Sequence, residues 1–378
     1  MSARVAVVAG VCMRRDAIWN IVRLQEQVLI DAGHEVRVFT HHTDFPSPRH
    51  IEVSDPWILQ RDPWYRAADV TLFHFGIQYG LFDALLLRRE HGAKVVRFHN
   101  VTPPDLLTGR SREQALRGID QIAIADRADE VWTDSEYNTR CLLEWTDVDP
   151  ARVSTMQLCV PWAAQSPAVA AQDLPRGSST IRLIAVGRLV AAKGQLDLLE
   201  ALALLSPAQR HGVDVEVIGS LEHSDPAYIE EIVGRIDELG LGSMVRLTLD
   251  LPDDELRSRF ELADVFVSPS HHEGFCVPVI EALAAGCAVV STDAGALADT
   301  VGPCGTVVPT ADHSAMVSAL ADQFDALRAG VVSVAPAVVA AHLEQFSRDA
   351  FARRLLDGID RALALHPRGV SVASAPSH

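Results

Sequence analysis

Lysine is nearly missing from this chain. Only Lys94 and Lys193 occur among 33 basic residues, against a background that otherwise uses arginine. A GC-rich coding sequence accounts for the bias. It makes a lysine a modest hint of chemical need, because a compact ammonium on a flexible stem does not do what a planar guanidinium does; the hint is taken for Lys193, whereas Lys94, at the start of a strand, is expected to be solvated. Positive charge is scarce altogether, and the formal net charge of −17 argues against nucleic acid as a partner and against a broadly basic membrane face. No apolar run reaches the length that a bilayer span needs. The opening run from Val5 to Ala9 is too short for the core of a secretory signal, and a helical pattern with polar residues follows it directly. Cysteine is present but unpatterned. Cys12, Cys141, Cys159, Cys276, Cys287 and Cys304 show no Cys-x-x-Cys spacing, which argues against a zinc site or a disulfide frame and for reduced thiols in the cytoplasm. Neither half opens with Gly-x-Gly-x-x-Gly, which disfavours a simple dehydrogenase.

What is present is an alternation. A chain of 378 residues exceeds what one core usually supports, so two domains are expected. In the first half, β-rich runs fall at 4–8, 35–40, 70–75, 94–98, 131–134 and 153–160, with helical patterns between most of them. Residues 161–180 lose periodicity and collect Pro, Gly, Ser and Ala, the composition of a linker. The second half resumes with strands at 182–186, 213–218, 245–249, 265–268, 288–291 and 305–308, and helices near 194–205, 227–238, 253–262 and 278–285. Alternating strands and helices imply βαβ units and a parallel α/β sheet in each half. The expected boundaries are 1–165 and 178–345 for the two domains, a helix within 346–366, and a disordered tail from 367 to 378.

One stretch is more informative than the rest. Between the strand at 265–268 and the strand at 288–291, a loop carries Glu273 and Gly274, Pro278 stands at an expected helix start, Glu281 lies one turn in, and Gly286 ends the helix. The resulting helix N-terminus, at the carboxyl edge of a parallel sheet, suits phosphate. Two carboxylates beside a phosphate site make sense when the ligand also carries hydroxyls, since an ionised carboxylate accepts from two of them at once. A nucleotide-sugar meets both demands. At another strand-to-helix edge, Gly187 and Arg188 precede Lys193 and Gly194. Two cations at that spacing can flank a diphosphate, the guanidinium as a fork and the ammonium as a movable point charge.

The stretch from Ser270 to Gly286 resembles the Glu-x7-Glu signature of family 4 glycosyltransferases, retaining enzymes of the GT-B fold, and the segment from Gly187 to Gly194 is similar to that family's Gly-Arg…Lys-Gly motif. The glycine turn at Val217 to Ser220 and the run from Ala263 to Ser270 follow the family order, whereas Cys287 stands near a position where many members have proline. The first half matches more loosely. Gly33 to Val36 is like the entry to the family's second strand, and the segment from Phe98 to Pro104 resembles bacterial members acting in surface polysaccharide assembly.

The resemblance implies two Rossmann-like domains facing each other across a cleft, with the helix near 348–365 packing back on the first. It implies transfer of a hexose from a UDP- or GDP-linked donor to a hydroxyl of a saccharide or other acceptor, without a metal or other cofactor. Arg188 and Lys193 are then expected to hold the donor diphosphate, Glu273 the transferred sugar and Glu281 the ribose. Gly274, Phe275, Cys276 and Val277 complete the donor site. His99 is expected to approach the sugar, with His74 as its rival, and the loop at Gly10 and Val11 to meet the acceptor, although the family's paired glycines are absent there. Asp147 and Asp149 spell the metal-binding DxD of another transferase fold, but they adjoin Pro150 between a helix and a strand and suit a surface turn. A sugar-nucleotide epimerase or phosphorylase and a nonenzymatic nucleotide-sugar binder are the alternative readings. Peripheral membrane contact through Leu85 to Arg89 is a further expectation, alongside a plain helix core with a basic end.

Overall fold

The computed structural model describes residues 2–13, 17–88, 91–164, 180–222 and 224–366. Valine-rich runs buried on both faces build two parallel sheets, the pattern expected where helices cover each side. Every residue of Val70–Phe75 is buried, for example, as is every residue of Val265–Ser268. The first sheet has seven strands in the order His50–Glu52, Glu35–Thr40, Arg4–Val8, Val70–Phe75, Ala93–Phe98, Glu130–Thr133, Val153–Thr155. The second has six, in the order Val245–Leu249, Val213–Gly219, Ile181–Val186, Val265–Ser268, Ala288–Thr292, Gly305–Val308. All pairings are parallel. In each sheet the strand order reverses beside the earliest long strand, and the loops leaving the two strands at that switch point open a crevice. In the second sheet those loops are the ones after Val186 and after Ser268.

Two differences from the sequence reading have local causes. The strand expected over 153–160 stops at Thr155. The next carbonyl, at Met156, is taken by the buried Arg97 guanidinium, and the Val160 amide donates to the Phe346 carbonyl in the core beneath helix Val277–Ala285. The chain is thus leaving the sheet. The short strand His50–Glu52 goes unread because its three residues are polar or half-buried and carry no period. Of the expected linker, Pro161–Ala164 forms one 3-10 turn, with Trp162 edge-on to Phe260, while 165–179 lies outside the described residues, as does the tail from 367.

The helix Arg348–Leu365 returns to the first sheet, where Phe351, Leu355, Ile359 and Ala362 share a core with Val5, Val7, Leu72 and Trp132. Gly358 permits this approach, since a Cβ there would stand 2.7 Å from the Trp132 ring. A second bridge is apolar: Ile21 of helix Ala17–Asp31, together with Leu158 and Val160, joins the core beneath helix Val277–Ala285. Among the described residues no helix is long and apolar enough to cross a membrane.

Candidate active site

The second-domain wall of the cleft is made by two loops pressed together. Gly194 adopts φ +66°, and a Cβ there would stand 2.0 Å from the Pro269 carbonyl oxygen, so only glycine lets the 187–194 loop lie on the 269–273 loop. The His271 amide donates to the Ala192 carbonyl (2.9 Å), and Asp197 accepts from His271 and His313 (2.7 and 2.8 Å). The contact delivers Lys193 to Glu273, with Nζ 2.6 Å from Oε1 and both side chains largely enclosed. Ser270 donates its hydroxyl to the same oxygen at 3.0 Å. Burial alone would raise the Glu273 carboxyl, but the Lys193 ammonium and the Ser270 hydroxyl hold it below the usual carboxylate range.

Helix Val277–Ala285 begins one residue before Pro278. Its cap, Cys276, sits at φ 73° without a side-chain capping bond; Pro278 has no N–H and the Val279 amide donates to the Cys276 carbonyl at 3.2 Å, which leaves the amides just ahead of Pro278. Phe275 and Cys276 turn their side chains into the core, leaving backbone N–H groups as what this turn can offer a ligand. With the positive end of the helix behind them, such amides suit an anion. Gly286 closes the helix in the left-handed region, φ 83°. Arg188 is exposed at the mouth and its carbonyl is held by Gln195 (2.9 Å). Burial, joined by the charges of Lys193 and Arg188 and opposed by Glu273, pushes His272 down to about 4. Glu281 is different from Glu273. Burial, with Asp253 adding repulsion, pushes its carboxyl up to about 7, and among the described residues it has no hydrogen-bond partner.

The first-domain wall is a buried chain of polar groups. Arg97 pairs with Asp134 (3.0 Å), Asp134 accepts from His99 Nδ1 (2.6 Å), and His99 Nε2 meets His74 Nδ1 at 2.9 Å. The two histidines that the sequence offered as rivals are stacked, with centroids 5.1 Å apart. Both ring nitrogens of His99 are engaged inside this domain, and burial holds His74 well below its ordinary range. Across the cleft, Gly274 lies against this wall. A Cβ there would stand 3.2 Å from Asn100 Cβ and 3.3 Å from the His99 carbonyl oxygen. Ser135, Tyr137 and His272, which sequence reasoning missed, also meet at this seam.

Gly10 and Val11 stand at the switch point of the first sheet. The Gly10 carbonyl accepts from Thr40 and His41 (3.1 and 2.9 Å), and Val11 is exposed beside the His42–Thr43 pairing. Residues 14–16 of that loop lie outside the described residues. Asp147 and Asp149 are both exposed, and Asp149 caps the turn Pro150–Arg152 by accepting from the Ala151 amide at 2.9 Å. Among the described residues, no three His, Cys, Asp or Glu side chains are grouped to hold a metal ion.

Residues 170–325 match the family model described as glycosyl transferases group 1. The chain is 30% identical over 316 residues to the D-inositol 3-phosphate glycosyltransferase of Thermobifida fusca, covering 72% of each chain. It is 28% identical over 265 residues to the same-named protein of Mycolicibacterium gilvum, covering 69% of this chain but only 58% of that relative. In fold it is similar to Anabaena Alr3699/HepE solved in complex with UDP-glucose, with TM-score 0.72 and 14% identity over 95% of this chain and 100% of that one.

Proposed function

This chain belongs to the group 1 glycosyltransferases, of GT-B fold, and from that premise we propose that it moves a hexose from a nucleotide diphospho-sugar to an acceptor hydroxyl with retention of anomeric configuration. The observation that carries the proposal is the juxtaposition of Lys193, Glu273 and the uncapped amides of helix Val277–Ala285 at the switch point of the second sheet. The amides, Lys193 and Arg188 receive the diphosphate. An ammonium has three donors, so Lys193 can keep Glu273 and still reach a phosphate oxygen. Glu273, held ionised, accepts from sugar hydroxyls, and the unpartnered Glu281 accepts from the ribose.

The sugar carbon–oxygen bond breaks with its electron pair leaving on the diphosphate. A leaving phosphate oxygen then takes the acceptor proton as the new bond forms on the same face. This scheme needs no protein base. Nor does it call for a metal, because two cations and oriented amides supply the stabilising field. His99 bounds the sugar's place through its backbone; its ring donates to a sugar oxygen only if His74 gives up its bond. The acceptor enters past Gly10 and Val11.

The test is incubation with UDP- and GDP-linked hexoses, scoring free nucleotide with and without saccharide acceptors and with EDTA. Acceptor-dependent nucleotide release that survives EDTA is the expected result. Conversion of the donor with no nucleotide freed would mean an epimerase instead.

A further inference from the structure

The peptide between Glu273 and Phe275 is gripped from both sides of the cleft. The Glu273 carbonyl accepts from the Ala296 amide of its own domain at 2.8 Å, with Gly295 making room for it. The next carbonyl, that of Gly274, accepts instead from the Ser135 hydroxyl of the first domain at 3.0 Å. Ser135 is itself buried, and its oxygen caps helix Glu136–Trp145 by accepting from the Asn138 amide at 3.1 Å. One hydroxyl therefore uses its lone pair for its own helix and its proton for the opposite domain.

Three neighbours hold the pieces in register. Tyr137 reaches His272 Nδ1 at 3.4 Å with the rings edge-to-face. Asn138 accepts from Asn100 at 2.7 Å, and Asn100 keeps a left-handed φ of 77° while its own side chain accepts from the Val101 amide. That strained turn is the surface on which Gly274 rests, and a Cβ there would make it give by a few tenths of an ångström.

We propose that Ser135 is a positioning residue of the transfer reaction, setting the Gly274–Phe275 peptide when the two domains meet. The peptide unit is planar and trans, so its carbonyl and its N–H point in opposite directions. Fixing the Gly274 carbonyl on Ser135 fixes the direction of the Phe275 N–H, the first amide of the anion-binding turn. Closure of the first domain thereby completes the place where the leaving diphosphate collects charge. The role in catalysis rests on the function proposed above; the coupling between Ser135 and the loop does not.

Three variants separate capping from positioning. Ser135→Asp keeps an N-cap acceptor but has no proton for Gly274. Ser135→Thr keeps both, and Ser135→Ala loses both. Amide hydrogen exchange of the unliganded protein is read first. In Ser135→Asp, exchange in 270–277 should quicken by about three- to tenfold, the range of one neutral hydrogen bond, while helix Glu136–Trp145 stays as protected as in the wild type. Ser135→Thr should restore the wild-type pattern. With whichever nucleotide-hexose the wild type turns over, kcat should fall in Ser135→Asp, KM and the affinity for the corresponding nucleoside diphosphate should change little, and Ser135→Thr should recover turnover. Wild-type exchange in the loop together with wild-type kcat in Ser135→Asp would overturn the proposal. If the wild type released nucleotide from no donor, the proposed function would fall, and the exchange data would still decide whether Ser135 sets the loop.

Discussion

Replacing Lys193 by alanine tests the site through stability as well as turnover. From sequence, both cations of the cleft should be removable without disturbing the fold. The structure revises this for Lys193, because its ammonium is the charge that keeps an enclosed Glu273 ionised. Truncation leaves a carboxylate with one hydroxyl donor, Ser270, and no cation in contact. Breaking a fully buried pair in this way costs about 3–5 kcal/mol, and the residual exposure of 17% and 11% places Lys193→Ala toward about 2–3 kcal/mol on that scale. At about 2–4 °C per kcal/mol for domains of this size, the thermal midpoint should drop by roughly 4–12 °C at pH 7.5.

The sign with pH follows from linkage. In the wild type the Glu273 carboxyl lies below its unfolded value, so its contribution is present above the unfolded value and is lost as pH falls through the folded one. In the variant the carboxyl rises above the unfolded value, so the penalty grows with pH and vanishes in acid. The difference between the two proteins should therefore be largest near pH 8 and close toward pH 4. Adding Glu273→Gln to Lys193→Ala should return about 1–3 kcal/mol, the coupling expected of groups in contact. Calorimetric midpoints across that range give the answer. A difference that ignores pH, or a double variant no more stable than Lys193→Ala, would refute the reasoning. The exposed Arg188→Ala should leave the midpoint unchanged while slowing turnover by about 2–4 kcal/mol of transition-state stabilisation.

Three further outcomes are expected. With Glu281 near 7, above its unfolded value, stability is lost as pH rises through 7, so Glu281→Gln should raise the thermal midpoint at pH 8 but not at pH 5. The same variant should abolish the gain in nucleotide-sugar affinity that titration calorimetry should show in the wild type between pH 6 and pH 8. Gly274→Ala drives a methyl against Asn100 and the His99 carbonyl, so kcat should fall while affinity for the donor's nucleoside diphosphate, measured by titration, stays near wild type. His99→Ala strips a partner from both Asp134 and His74, which should lower stability by about 2–4 kcal/mol and lower turnover more than nucleotide affinity, as denaturant melts and kinetics will show.

Strands wrapped in helices were legible because burial on both faces demands unbroken apolar runs. Val70–Phe75 and Val265–Ser268, buried throughout, have the same limits in sequence and structure. Helix Asp253–Leu262 is equally clear, with acidic residues in its first turn. The two loops at the switch point of the second sheet stood out because glycine, proline and charge cluster at strand ends. Their couplings could not. Lys193 meets Glu273 from 80 positions away, His99 meets Asp134 across 35, and Ser135 meets Gly274 across 139. No periodicity links such partners; only the sheet order brings the strand ends together. The same holds for the contrast between Glu273 and Glu281, two glutamates one motif apart whose ionisation diverges because one received a lysine and the other did not.

The returning helix bears on how this molecule matures as it is made. Translation delivers residues 4–155 early, yet the core that Val5, Val7, Leu72 and Trp132 share with Trp19, Val22 and Leu29 of helix Ala17–Asp31 is completed only when 348–365 emerges. The second sheet and its helices, by contrast, come from one unbroken span that ends before that helix begins. The later-made domain can therefore finish first, inverting the usual amino-to-carboxyl order of folding during synthesis. Until then the part of that face where Phe351, Leu355 and Ile359 will pack stays uncovered, apolar surface of the kind on which chaperones act and aggregates start. A stop codon ahead of Arg348 would injure the amino-terminal domain, at the opposite end of the chain from the lesion.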